Sequence, residues 1–416
     1  MVTLEHVACY QGLSGASQEN GLRLACAANQ TAAPLLFQGC LTSPRRTAQM
    51  LLALTRVVAS RFHTPAAMLA RILREADPVV TCAPQRLRWE GFSACCSAYA
   101  RVDLLPASVD GALLACGTTN VDLGQQARNA LSQLSPASSC GLTVGAHYLE
   151  VAEVVERKVA LPLRWLKGLV EVQATMAGMK RIWEIPVAEA RKFLQSLPKG
   201  PSREAAWVVS AGRGLRLSQV ACREGVRVAG WQRLAILADL LPQCRSLRIY
   251  SHPGGASAWE LISPDSHFHL VISPEVWRGF SGEGQLLFPL NRSELGGLAE
   301  QAFVQPERLT PADLVLLANQ GKLGYDLDLE EYFFRPLPYP FARLVELHPR
   351  LLQARKLTVD WQDGQAWVAS SGTTYRVAWQ GQQAQCNCPW FARHQLERGP
   401  CKHILAAQLG LEKENA

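Results

Sequence analysis

Nowhere in this 416-residue chain does an apolar run approach the ~18 residues a membrane helix needs, so no helical span is expected. The start, MVTLEHVACY, has no basic segment leading into an apolar stretch, so no secretory signal is expected and the cytoplasm is the expected compartment. Charged residues are few, 19%, against 48% hydrophobic, which excludes a disordered chain. There is no internal repeat, no low-complexity tract and no block of like charges. The Gly-Lys-Ser/Thr of a phosphate-binding loop and the G-x-G-x-x-G of a dinucleotide fold are both missing. Cysteine, by contrast, is plentiful. The thirteen thiols are odd in number in a long chain without a secretory signal, and they are read as reduced. Cys95 and Cys96 are expected on a strand, facing opposite ways and unable to share a metal.

The net charge of +7 is unevenly spread: +3 over 1–110, +8 over 111–250, −5 over 251–355 and +1 over 356–416. A mixed, solvated surface explains this better than a nucleic-acid groove. Length points to several cores. The expected class is mixed α+β (α/β), multidomain. The expected boundaries are an N-terminal α/β domain at 1–198, an antiparallel-sheet domain with one helix at 199–290, a helical linker at 291–355 and a small zinc module at 356–416. Met50, Leu51, Leu54, Val57 and Val58 recur at helical spacing after Pro44, and 66–76 reads as a second helix. Arg86 to Leu105 reads as strand, and Pro198, Gly200 and Pro201 make the clearest break. AAWVVSA, GLRLSQV and GVRVAG read as strands, Trp231 to Leu241 as a helix, and SLRIYS, AWELIS and HFHLVIS as further strands.

The tail QCNCPWFARHQLERGPCKHILAAQL carries the chemistry. Its pattern is C-x-C, twelve residues, then C-x-H, giving Cys386, Cys388, Cys401 and His403. Three thiolates and an imidazole are a tetrahedral zinc set. Pro389 stops the chain after the first pair. Gly399 and Pro400 open a helix at the second pair, where the helix N-terminus favours thiolate charge. A four-ligand site leaves no position for a reacting water, so the expectation is one structural Zn²⁺ per chain. Upstream strands KLTVDW, QAWVASS and TTYRVAW complete a small ββα-like module, whose folding must lean on the metal. His394, mid-loop and without a paired ligand, is read as a surface residue.

These residues, with the flanks CPWFARH and RGPCKHILA, resemble the SWIM zinc finger family, and within it a bacterial subgroup with a long N-terminal region. PAAMLARILREADPVV, FSACCSAYARVDLLP, GTTNVD, PLRWLKG and GYDLDLEEYFFRPLP also resemble that subgroup. The resemblance implies a DNA-binding or protein-interaction module. It further implies a multi-protein system with a MoxR-type AAA ATPase or a von Willebrand A-domain protein.

Other features tempt an enzyme reading without carrying it. Gly117 to Asp122, GTTNVD, is expected to be a hydrogen-bonded turn leading into a strand or cap. His267 and His269 share one strand face but show no further ligand, so satisfied or surface histidines are expected. Asp326, Asp328, Glu330 and Glu331 lack calcium-loop spacing and are read as an acidic helix start. The functional expectation is therefore non-enzymatic: a zinc-binding adaptor or scaffold whose module, through Trp390, Phe391, Arg393 and Arg398, binds a partner protein. The alternative is nucleic-acid binding through Arg393, Arg398 and Lys402 or the basic 111–250 region.

Overall fold

The computed structural model describes residues 15–17, 21–23, 35–61, 78–158, 163–200, 202, 204–212, 214–282, 284, 309–335, 337, 348–381, 383–396 and 398–414. The helix expected at 66–76 lies outside them. The chain divides into two compact units: Met1–Gly168, Thr175–Ser281 and Tyr325–Pro338 form the first, and Leu169–Ala174, Gly282–Gly324 and Tyr339–Ala416 the second. The chain is mixed α+β, with several antiparallel sheets and interspersed helices.

After a short hairpin, β1 (Gly15–Ser17) and β2 (Gly21–Arg23), the first unit is built on two large sheets. The five-stranded sheet runs β11-β10-β9-β3-β7, from β3 (Leu35–Leu41), β7 (Val109–Leu113), β9 (Gly141–Gly145), β10 (Tyr148–Val151) and β11 (Val154–Arg157). The eight-stranded sheet runs β12-β16-β17-β18-β6-β5-β4-β8. Its strands are β4 (Val79–Ala83), β5 (Arg86–Phe92), β6 (Ala98–Leu104), β8 (Gly117–Asn120), β12 (Lys180–Pro186), β16 (Ser246–Ser251), β17 (Ser257–Ile262) and β18 (Ser266–Ile272). This sheet draws strands from both sides of the Pro198–Pro201 break, because β18 pairs with β6, His269 opposite Arg101.

Helix α1 (Pro44–Ala59) behaves as its periodicity requires. Pro44 sits in its first turn, and Met50, Leu51, Leu54, Val57 and Val58 are all buried. It lies against β5 and β6. Gly91 permits that approach: a Cβ there would meet Val58 Cγ2 at 2.7 Å. Further helices are α2 (Gln125–Gln133), α3 (Leu163–Ala177) and α4 (Val187–Ser196), where Phe193 stacks on Trp259 with ring centroids 5.9 Å apart. Trp231–Leu237, expected as α-helix, is a 3₁₀ segment instead, entered through Gly230 in the left-handed region. A three-stranded sheet, β14-β13-β15, uses β13 (Ala205–Ala211), β14 (Gly214–Ser218) and β15 (Val226–Ala229).

Both faces of the central strands are buried, and they differ in chemistry. One face presents Trp89, Val102, Leu104, Trp259, Leu261, Phe268 and Leu270 to the apolar core. On the other, the register sets Arg248, Glu260, His269, Arg101 and Glu90 side by side across five strands. The neighbouring row sets His267 opposite Asp103, and Asp103 opposite Arg88. These charges are buried because the segment from Tyr325 to Phe334 covers them. It is a hairpin, β19 (Leu323–Asp326) and β20 (Glu331–Phe334), and not the acidic helix start expected. Asp326 bonds Arg88 and Arg101, at 2.5 and 2.6 Å, and Asp328 pairs with Arg86 at 2.6 Å. Phe333 lies under the Arg88 guanidinium, 3.9 Å from carbon to ring centroid. Only Glu330 and Glu331 of the acidic cluster face solvent.

In the second unit α5 (Pro311–Asn319) begins with a capping box between Thr310 and Asp313, as its Thr-Pro start suggests. Then α6 (Pro349–Ala354) leads into an antiparallel meander, β21 (Thr358–Gln362), β22 (Gln365–Ser370), β23 (Thr373–Gln380) and β24 (Gln383–Cys386). Two helices close the chain, α7 (Pro389–His394) and α8 (Lys402–Glu414). Val368 and Val377 from the sheet, Leu351 from α6 and Ile404 and Leu405 from α8 form one small core that contains the three motif cysteines.

Candidate metal centre

Each ligand of the C-terminal site is placed by a different local device. Cys386 ends β24, opposite Val377. Asn387 then turns the chain back onto β23: its Oδ1 accepts from Arg376 N at 2.9 Å, and its own N–H donates to Arg376 O at 3.3 Å. Cys388 is the N-cap of α7, with Pro389 in the first turn, and its Sγ accepts from Phe391 N at 3.3 Å. Gly399 adopts φ +72°, a conformation disfavoured for other residues, and sends Pro400 and Cys401 to the mouth of α8. Cys401 Sγ accepts from Ile404 N at 3.5 Å, so the first turn of α8 points a backbone N–H at the sulfur.

The four side chains converge. His403 Nδ1 lies 3.8 Å from Cys386 Sγ and 3.9 Å from Cys401 Sγ. All four donor atoms fall within 4.8 Å of one another, and all four residues are buried. The three thiols differ in acidity. A hydrogen bond from Cys386 is the largest cause lowering the Cys401 pKa, to about 4, and the same bond pushes Cys386 up; burial raises Cys388. An S₃N set of buried donors with one thiolate already favoured fits a single structural Zn²⁺.

Residues 375–407 match the SWIM zinc finger family. They form a SWIM zinc finger. No curated protein matches the chain. Among solved structures the chain is similar to one from a PCNA2–PCNA3 complex of Sulfolobus tokodaii, at 9% identity over 57% of this chain and 99% of that one. The TM-score is 0.37, and nothing about function follows from it.

Two residues that support the SWIM site left no signal in the sequence. Tyr375 stacks on the His403 ring, centroids 4.3 Å apart at 27°. Arg350, on α6, donates from Nη1 to Arg398 O at 2.7 Å and Pro400 O at 2.9 Å, and so braces the turn before Cys401. Its guanidinium also lies 4.7 Å from the Trp390 ring centroid. Trp390 and Phe391 are both half-buried and packed on the module's own core, whereas Arg393 is exposed and Arg398 and Lys402 are half-buried. His394 sits edge-on to Trp390, outside the ligand cluster.

Elsewhere the expectations need correction. Gly117–Asn120 is a strand at the edge of the eight-stranded sheet, not a turn, because its backbone pairs with β4. Cys95 and Cys96 lie in the β5–β6 turn, Cys96 at φ 54°, because the strand reverses there. His267 and His269 are buried beside Glu260, a third potential ligand that stands on the adjacent strand and is invisible to local spacing. In the described residues no helix is long and apolar enough to cross a membrane.

Proposed function

We propose that this protein is a non-enzymatic, zinc-binding adaptor whose SWIM module docks a partner protein. The observation that carries the reading is the burial of all four ligands. A closed site shapes a surface and offers no coordination position for a reaction. The surface it shapes includes the outer face of the β21–β24 meander. There Asp360, Trp367 and Arg376 stand opposite one another on adjacent strands. Trp367 is half-buried beside a shallow depression of about 380 Å³ bounded by Thr358, Gln362, Ala369 and Thr374. A tryptophan flanked by charges of both signs suits a protein partner better than a polyanion. The partner class we propose is the one the sequence resemblance implies, a MoxR-type AAA ATPase or a von Willebrand A-domain protein.

Nucleic acid is the second reading, favoured by the cations of exposed Arg393 and half-buried Lys402. The test is recovery of partners from nuclease-treated lysate by the full chain and by a Trp367→Ala/Arg393→Ala variant that retains zinc. Partner loss in the variant, unchanged by nuclease, supports docking. Equal recovery by both chains refutes it. Recovery that vanishes with nuclease transfers the assignment to nucleic acid, whose binding should then weaken steeply with salt.

A further inference from the structure

The buried polar face of the eight-stranded sheet contains a second cluster of metal-ligating atoms, independent of the SWIM module. Glu260 on β17 and His267 and His269 on β18 bring one donor atom each to within 4.8 Å of the others. Glu260 Oε1 lies 3.3 Å from His267 Nδ1 and 3.6 Å from His269 Nδ1. Glu260 and His269 are fully buried and His267 is 7% exposed, yet none of these three atoms has a hydrogen-bond partner among the described residues. A buried polar atom left unmet is destabilising, and three such atoms facing one point call for an occupant.

The surrounding contacts set which atoms face the cluster. Glu260 Oε2 accepts from Tyr250 OH at 2.6 Å, which leaves Oε1 turned inward. His269 Nε2 lies 3.1 Å from Asp103 Oδ2 and 3.3 Å from Arg101 Nη2. In the tautomer whose Nε2 donates to that carboxylate, the imidazole lone pair is on Nδ1, 3.6 Å from Glu260 Oε1. A carboxylate behind a ligating histidine is the usual outer support of a metal site. The neighbouring charges are already matched: Arg86 with Asp328, Arg88 with Asp326, Arg101 with Asp103 and Asp326, and Arg335 with Glu90. Glu260 is matched more loosely. Its nearest cation, Arg248, stands 3.7 Å from Oε2, on the side away from the donor cluster. Asp328 Oδ2, 3.6 Å from His267 Nδ1, flanks the cluster as a further oxygen.

We infer that Glu260, His267 and His269 bind a second divalent first-row transition-metal ion, of the zinc class, that braces β17 against β18. Two imidazole nitrogens and one carboxylate oxygen suit zinc, cobalt, nickel or iron(II), and disfavour calcium and magnesium, which take oxygen donors. The ion satisfies all three unmet atoms at once.

The test is metal counting on the full chain with cobalt as a coloured substitute for zinc. The wild type should hold two ions. Cys388→Ser should hold one, with the weak visible bands of a nitrogen–oxygen site and without thiolate charge transfer. Glu260→Gln should also hold one, with thiolate bands intact. A wild-type chain saturating at one ion under zinc, cobalt, nickel and iron(II), with every band of thiolate origin, overturns the inference even if both variants fail to fold. Loss of thiolate bands in the wild type would instead count against the SWIM site, so the two readings fail separately.

Discussion

Replacing Cys388 by serine separates the metal from everything else the residue does. Its sulfur both caps α7, accepting from Phe391 N at 3.3 Å, and faces the other three ligands. Serine is among the preferred N-caps, so the capping bond survives the exchange, while the soft thiolate is lost. Structural zinc sites contribute apparent binding energies of about 10–16 kcal/mol, and one ligand's even share is about 3–4 kcal/mol. That corresponds to zinc affinity weaker by about 10²- to 10³-fold. The core around the site is small, with Val368, Val377, Ile404 and Leu405 as its main aliphatic members, so the module should lose its fixed packing at metal concentrations that saturate the wild type. Competition against a chelator of known affinity measures the shift. The near-ultraviolet signal of the stacked Trp361–Trp379 pair, centroids 5.6 Å apart, reports the packing. Wild-type zinc affinity in the variant, or no zinc in freshly purified wild type, would refute the ligand assignment.

Removing the ring that stacks on His403 should weaken the site less: Tyr375→Ala is expected to cost about 1 kcal/mol beyond lost area, and Tyr375→Phe almost nothing, read by the same chelator competition. Glu90 accepts from Tyr99 OH and from Arg335 Nη1 at 2.6 Å each, all buried, so Glu90→Gln should weaken both charge-assisted bonds and lower stability of the first unit by roughly 1.5–3 kcal/mol in denaturant melts. For Asp265, burial works to raise the carboxyl pKa, but hydrogen bonds from Ser43 and Arg46 outweigh it and leave the value below the ordinary one. A depressed folded-state value stabilises at neutral pH, and that stability is lost as pH falls below about 4 toward the folded value; Asp265→Asn should therefore flatten the acid limb of a stability–pH curve, and an unchanged limb would exclude this contribution.

The zinc site was legible because its information is local. Two ligand pairs at short spacing, a proline stop after Cys388 and a Gly-Pro entry before Cys401 describe the coordination before any strand is paired. The same locality exposed α1, whose apolar residues recur every third or fourth position. Where the reading failed, partners were distant in the chain. Asp326 and Asp328 looked like a solvated acidic start because Arg86, Arg88 and Arg101, which neutralise them, lie more than two hundred residues earlier. His267 and His269 lacked a third ligand until β17 placed Glu260 opposite His269. Alternation along β18 was visible in the sequence, but both of its faces are buried, and only strand pairing reveals that one is apolar and the other charged. Sequence alone therefore determined what short-range geometry controls: ligand spacing, helix periodicity and caps. The tertiary structure decided which charges meet and which polar atoms are left facing one another, because pairing β6 with β18 closes a loop of more than one hundred and fifty residues whose register no local pattern encodes.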